Sequence, residues 1–325
     1  MVIFHGAGAS LYNLSVMLSR ARGVRLLRRS VRAIVAAYVL LLLVLSVLHY
    51  PRDTDRSYDP RASTGSSTFY EAAYSVNKNR GSDYEAVARR AAEESHIAEG
   101  VQDFVRQYGI SDKRVLEVGS GRGYLQDIVD DYTGLDISNS VAGHYHKRFV
   151  QGSATAMPFK DSSYDVIWTI WVLEHIPEPE KALNEMRRVL RPGGILLLVP
   201  AWECTPLAAG GFNVRPASDF NAFGKLVKAT VPLYPKYASA TSLPIRIGRW
   251  FQYAAGGTTL HYRRLRPNYD VYWQPDSDAA VSLDRFEVYR WFLAHGDECL
   301  NCGSPIEELC RHDGAFFLRI VKPDR

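Results

Sequence analysis

Three glycines at alternate positions, Gly119, Gly121 and Gly123, follow a short apolar run ending in Glu117-Val118. Such a loop turns tightly and leaves backbone bare where a bound molecule must touch it. Asp136 closes the next apolar run, 17 positions after Gly119. A carboxylate at that place can accept hydrogen bonds from two adjacent ribose hydroxyls, or, less informatively, cap the turn before Ser138. A dinucleotide fingerprint needs Gly-x-Gly-x-x-Gly. Here the third glycine comes one residue early and position 124 is Tyr, which argues against a nicotinamide cofactor.

These residues need strands to carry them. Short aliphatic runs at 115–118, 134–136, 148–150, 165–168 and 195–199 alternate with stretches of helical character. Between the last two, Leu183, Met186, Val189 and Leu190 form one apolar face, Glu178 and Glu180 stand in the first turn, and Pro192-Gly193-Gly194 ends the pattern. Before the strands, 82–108 is helix-rich. After them, Leu283 to His295 reads as a helix. Strand-helix alternation predicts an α/β doubly wound, mostly parallel sheet, with ligands at the carboxyl ends of the strands near the switch in strand order.

Five segments, in order and spacing over about 112–200, resemble the motifs of class I S-adenosylmethionine-dependent methyltransferases, the small-molecule type that includes quinone and sterol methyltransferases. They are Val115 to Gly123, Gly134-Leu135-Asp136-Ile137-Ser138, Gly152 to Phe159, Tyr164 to Trp168 with Val172-Leu173-Glu174-His175, and Leu190 to Leu196. The resemblance implies a Rossmann-like, seven-stranded sheet with a long insert after strand five and an antiparallel pair at 298–302 and 315–321. It implies S-adenosylmethionine as cosubstrate. Glu117 and Gly119 would face its methionine part, Gly121 and Gly123 would lie against it through backbone, Asp136 would hold the ribose, Ser153 and Ala154 would border the adenine, and Trp171 would wall the pocket. Ser153 stands where the family usually has Asp.

Methyl transfer from a sulfonium is an in-line displacement that needs alignment and exclusion of water, with a general base only for some acceptors. His175 is a weak catalytic candidate, expected rather to line the pocket. The insert, 201–282, is rich in aromatics such as Trp202, Phe212, Trp250 and Tyr262, and carries a basic cluster of His261, Arg263, Arg264 and Arg266. It reads as a lid for an aromatic, lipid-like or anionic acceptor, or as a subdomain with its own core. Cys299, Cys302, Cys310 and His312 have a zinc-like look, but if 298–302 is a strand, Cys299 and Cys302 point to opposite faces. Thiols with at most one disulfide are expected, and no metal.

Hydrophobic residues at 46% and charged residues at 23% suit a globular chain and argue against general disorder. The net charge is +4, but residues 1–52 hold seven arginines and no acid, leaving +4 − 7 = −3 for 53–325. A nucleic-acid partner is not expected from so acidic a body. Ala33 to Pro51 has no charged residue, and a spanning helix needs roughly 17–25. The expected organisation is a basic arm (1–32), a transmembrane or interfacial anchor (33–51), a polar linker (52–68) and the methyltransferase domain (69–325). The expected location is a membrane, with the domain's side open: the arginines place the N-terminus in the cytosol, while the cosubstrate is cytosolic, and an acid-free, Arg-rich start also suits an organellar leader. The function expected is methyl transfer to a small or lipid-like acceptor. The alternatives are a non-catalytic binding protein of the same fold and, more weakly, a nicotinamide oxidoreductase.

Overall fold

The computed structural model describes residues 7–48, 60–75, 79–269 and 274–322. Four helices come first: α1 (Ala7–Leu48), α2 (Pro60–Tyr74), α3 (Asn79–Glu94) and α4 (Ile97–Tyr108). Strands β1 (Arg114–Val118), β2 (Asp131–Asp136), β3 (Arg148–Gln151) and β4 (Tyr164–Ile170) follow, then helix α5 (Pro179–Val189) and strand β5 (Leu190–Val199). The insert contains α6 (Pro206–Ala209), α7 (Ala222–Thr230), α8 (Tyr234–Ala254) and a two-stranded ribbon of β6 (Arg263–Arg264) and β7 (Val281–Ser282). Helix α9 (Arg285–Ala294), strand β8 (Glu298–Cys299), helix α10 (Pro305–Cys310) and strand β9 (Phe316–Arg319) complete the order.

The main sheet has seven strands in the order β3-β2-β1-β4-β5-β9-β8. β1 to β5 run parallel, and β9 is antiparallel to both β5 and β8. This is the expected doubly wound, Rossmann-like sheet with an antiparallel edge. The chain leaves β1 toward β2 and β3, then returns to β4 on the other side of β1. That reversal opens a crevice at the carboxyl ends of β1 and β4.

Successive strand residues point to opposite faces, and two cores result. On one face α4 buries Val101, Phe104 and Val105 against Val115, Trp168 and Leu197. On the other, α5 and α9 bury Leu183, Met186, Phe286, Trp291 and Phe292 against Leu116, Val118, Ile167, Leu196 and Leu198. Helix α9 begins where the Asp284 carboxylate accepts the Phe286 N–H at 2.7 Å, a capping bond that fixes the entry angle.

Several expectations change. The links from β1 to β2 and from β2 to β3 contain turns and one 3₁₀ turn (Ala142–His144) but no α-helix. Gly119, Gly121 and Gly123 all have positive φ (72°, 50° and 70°), and a right-handed helix does not start through such residues. The expected linker, 52–68, lies outside the described residues up to 59, and the rest belongs to α2. Strand β8 covers only Glu298–Cys299, so the chain turns and closes a disulfide between Cys299 and Cys302. Cys204 is buried and Cys310 exposed, both as free thiols.

Among the described residues no helix is long and apolar enough to cross a membrane. The uncharged part of α1, residues 33–48, is sixteen residues. At 1.5 Å per residue it reaches about 24 Å against a hydrocarbon core of about 30 Å. The expected span is therefore not shown; residues 49–51 of that segment lie outside the described residues.

Candidate active site

At the carboxyl ends of β1, β2 and β4 lies a cavity of about 530 Å³. Its floor is the glycine loop. The N–H groups of Gly119 and Ser120 both donate to the Leu135 carbonyl, at 2.8 and 3.1 Å, which ties the loop to the end of β2. A Cβ on Gly119 would stand 2.3 Å from Val172, so only glycine fits.

Asp136 is almost wholly buried. Its two carboxylate oxygens accept the Gly121 N–H at 2.8 Å and the Ser138 N–H at 2.9 Å. A carboxylate has about four acceptor positions, so two remain for a ligand. The turn-capping and ligand-holding readings of Asp136 are thus compatible. Glu117 is buried at the end of β1, where the Tyr132 hydroxyl donates to it. Burial raises its carboxyl to about 7.

Glu117, Gly119, Gly121, Asp136, Ser153, Ala154, Trp171 and His175 all line this cavity. Gly123 does not: its positive φ and missing Cβ make room for the Tyr145 ring, 2.7 Å from where a Cβ would be. The Tyr145 hydroxyl in turn lies 2.7 Å from the Gly121 carbonyl and donates to it. The Ser153 hydroxyl lies 2.9 Å from that of Thr155 and accepts the Thr155 N–H. Trp171 is left-handed (φ 53°) and its N–H donates to Val199 at 2.7 Å, a strained turn that holds its ring at the cavity.

The other side of the cavity comes from residues that the sequence motifs do not contain. Helix α2 buries Ser66, Tyr70 and Ala73 along one stripe and presents Tyr70 and Tyr74 to the cavity. Tyr84 of α3 closes the group, with ring centroids 6.0 Å from Tyr70 and 5.8 Å from Tyr74. Glu71 pins α2 to the turn after β2, accepting the N–H groups of Asn139 at 3.0 Å and Ser140 at 2.9 Å. Burial alone would raise this carboxyl, but hydrogen bonds from Ser138, Ser140 and Asn139 take it down to about 2.

From the insert, the described residues lining the cavity are Ala201, Pro275, Asp276 and Asp278. The aromatics expected to form a lid lie elsewhere: Trp202, Trp250 and Tyr262 pack on the main core, and Phe212 stacks on Phe220. Tyr272 and Trp273 fall outside the described residues. The basic cluster at 261–266 does not line the cavity either. The Asp278 carboxylate accepts the Tyr70 hydroxyl at 2.8 Å and lies 3.6 Å from His175 Nδ1, while Glu174 lies 3.6 Å from His175 Nε2. Burial opposes charge on His175, but Asp278 and Glu174 outweigh it and its pKa is raised. An imidazole so placed holds its proton more tightly than a free one, which makes it a poorer general base.

Residues 116–198 match the model of a methyltransferase domain family. A "Probable phthiotriol/phenolphthiotriol dimycocerosates methyltransferase 2" of Mycobacterium ulcerans is 36% identical over 115 residues, 31% of this chain and 45% of that protein. A fatty-acid O-methyltransferase of Mycolicibacterium smegmatis is 35% identical over 118 residues, 30% of this chain and 43% of that one. A demethylmenaquinone methyltransferase of Renibacterium salmoninarum is 38% identical over 95 residues, 26% of this chain and 40% of that one. The chain thus spans less than half the length of these relatives, and the family match runs from β1 to β5 and includes the glycine loop. Residues 116–198 thus match a methyltransferase domain, set within the parallel part of a seven-stranded Rossmann-like sheet.

Proposed function

We propose that the protein moves a methyl group from S-adenosylmethionine to a small-molecule acceptor, lipid-like ones included, by in-line displacement. One observation carries this reading. The cavity gathers a bare glycine loop, a buried carboxylate with free acceptor positions and a second buried carboxyl along one wall, and leaves the opposite wall to residues of other origin.

When bound, S-adenosylmethionine supplies a methyl group already made electrophilic by its sulfonium. Glu117 is the partner for the methionine ammonium, Asp136 for the ribose hydroxyls, and the 153–154 turn for the adenine edge. Val172 and the strained Trp171 shape the wall between the two halves. Helix α2, with Tyr70 and Tyr74, covers the cavity and excludes water. Orientation and desolvation of this kind can contribute roughly 7–11 kcal/mol. His175 takes a positioning role, held between Glu174 and Asp278.

The proposal extends to a membrane. Along α1, Leu26, Leu27, Ile34, Val35, Leu40, Leu41, Leu43 and Val44 are exposed, and Leu45 is buried. α8, against which α1 rests, exposes Leu243, Ile245, Ile247 and Phe251. An apolar surface of this kind beside a run of arginines suits a bilayer interface. The relatives named for fatty-acid and menaquinone chemistry support acceptors that reside there.

Calorimetric titration of the full chain with S-adenosylmethionine and S-adenosylhomocysteine tests the reading. Micromolar binding, about −8 kcal/mol, that Asp136→Ala abolishes is the expected result. No binding by folded protein would leave a non-catalytic binding protein of this fold.

A further inference from the structure

The acceptor side of the cavity carries more carboxyl groups than basic ones to pair with them. Glu174 follows β4, and Asp276 and Asp278 come from the segment before β7. All three line the cavity. Glu174 is 1% and Asp278 2% exposed. The positive groups nearby are engaged: Arg122 pairs with Glu85 at 2.6 Å, Arg89 with Glu93 at 3.8 Å, and His175 serves both Glu174 and Asp278. One imidazole faces three carboxyls.

Glu174 adds a separate sign of a missing partner. Its Oε2 is buried and makes no hydrogen bond, although a buried polar oxygen left without a partner is costly. Asp276 is held at φ 66°, a conformation that non-glycine residues adopt at a cost and that clusters at binding sites. The remaining wall is aromatic. Tyr70, Tyr74 and Tyr84 meet at centroid separations of 5.8–6.3 Å. Tyrosine faces attract cations, and a desolvated carboxyl cluster binds a cation more strongly than it binds a neutral hydroxyl. An anionic acceptor would meet a carboxyl group from three directions, with no unpaired base among the described lining residues to receive it.

We propose that the acceptor group is an amine, bound as its ammonium among Glu174, Asp276, Asp278 and the faces of Tyr70, Tyr74 and Tyr84. This rests on the methyltransferase reading of the same cavity. The ammonium gives one proton to a carboxylate of the cluster. The freed nitrogen lone pair then forms the N–CH₃ bond as the S–CH₃ bond breaks, with the electron pair remaining on sulfur. The products are an N-methylated ammonium, S-adenosylhomocysteine and one proton, held by the carboxyl that accepted it.

The test is binding to the full chain saturated with S-adenosylhomocysteine. The probes are phenethylamine, 2-phenylethanol and phenylacetate, which differ only in the polar group. Vesicles with ethanolamine or glycerol headgroups distinguish a lipid-borne amine from a free one. The amine, free or as ethanolamine headgroup, is expected to bind at least tenfold more tightly than its hydroxyl counterpart, and phenylacetate not at all. Asp278→Asn and Glu174→Gln are expected to erase that difference without weakening S-adenosylhomocysteine. Asp276→Asn, which tolerates positive φ, is the variant least open to misfolding. Equal or tighter binding of the alcohol or acid, or no binding of either amine, overturns the proposal. Failure of S-adenosylhomocysteine itself to bind strikes instead at the methyltransferase reading.

Discussion

Gly119 concentrates the constraints on the cosubstrate side. Its φ is 72° and an added Cβ would meet Val172 at 2.3 Å. The left-handed conformation costs a non-glycine residue about 1–2 kcal/mol, before that contact is counted. Gly119→Ala is therefore expected to weaken S-adenosylmethionine at least about tenfold, and Val172→Ala in the same chain to restore part of the loss. Unchanged binding by the single variant, measured by calorimetry, would refute the tight fit. Glu117 makes a pH prediction. Its carboxyl stands at about 7 in the free protein because it is buried, and a bound ammonium requires the ionised form. Below pH 7 binding must release a proton, so affinity rises with pH, by up to about tenfold per unit, and levels off above 7. Calorimetry in two buffers of different ionisation enthalpy reads that proton, and Glu117→Gln is expected to flatten the profile. Both residues were legible in the sequence because the loop's task is a backbone task, and glycine spacing records it directly. Asp276 and Asp278 left no such trace. They reach the cavity from more than a hundred positions beyond the glycine loop, and a lone Asp in a loop looks like any solvated turn residue.

At the scale of elements, strands and helices α5 and α9 follow from aliphatic runs and periodicity, because burial on the sheet demands those patterns. Helix α2 does not. Its sequence, Pro-Arg-Ala-Ser-Thr-Gly-Ser-Ser-Thr-Phe, has the polar, glycine-containing composition of a linker. It is helical because Ser66, Tyr70 and Ala73 are buried on the domain and because Glu71 anchors it to the 138–140 turn. Tertiary contact overrides weak propensity here. Glu71→Ala removes the acceptor for three residues of that turn. At about 1.5–3 kcal/mol for a hydrogen bond to a charged group, and with part of the site solvated, a loss of about 1–3 kcal/mol in the docking of α2 is expected. Hydrogen exchange at residues 64–74 reads this directly. Exchange should accelerate there and stay unchanged in β1 and β4, while the KM of any acceptor rises more than that of S-adenosylmethionine. Equal acceleration throughout the sheet would mean that Glu71 supports the whole domain and not the cover of the site.

At the scale of the molecule, charge and apolar surface are divided unevenly. Residues 1–52 carry seven positive charges, and the remaining 273 carry −3. Such a body is repelled by an anionic surface unless the arm leads. Each arginine close to an anionic bilayer contributes about 1 kcal/mol, falling off within a Debye length. The apolar side chains of α1 add a contribution that salt does not screen. These two parts predict different behaviour. Full-length protein should float with vesicles containing anionic lipid and far less with neutral ones at low ionic strength. Raising the salt should narrow the difference between the two, because it screens the arginines alone. The remaining, salt-resistant binding should fall when Leu40, Leu41, Leu43 and Val44 are replaced by Ser, and a chain lacking 1–52 should stay in solution. Equal flotation of that truncated chain would shift the contact to α8, whose Ile245 and Phe251 are exposed, and would remove α1 from the argument. The orientation follows from the same geometry: α1 rests on α8, so a bilayer bound along α1 lies on the insert side of the domain, and an acceptor with an apolar tail has only to reach from that surface to the cavity under α2.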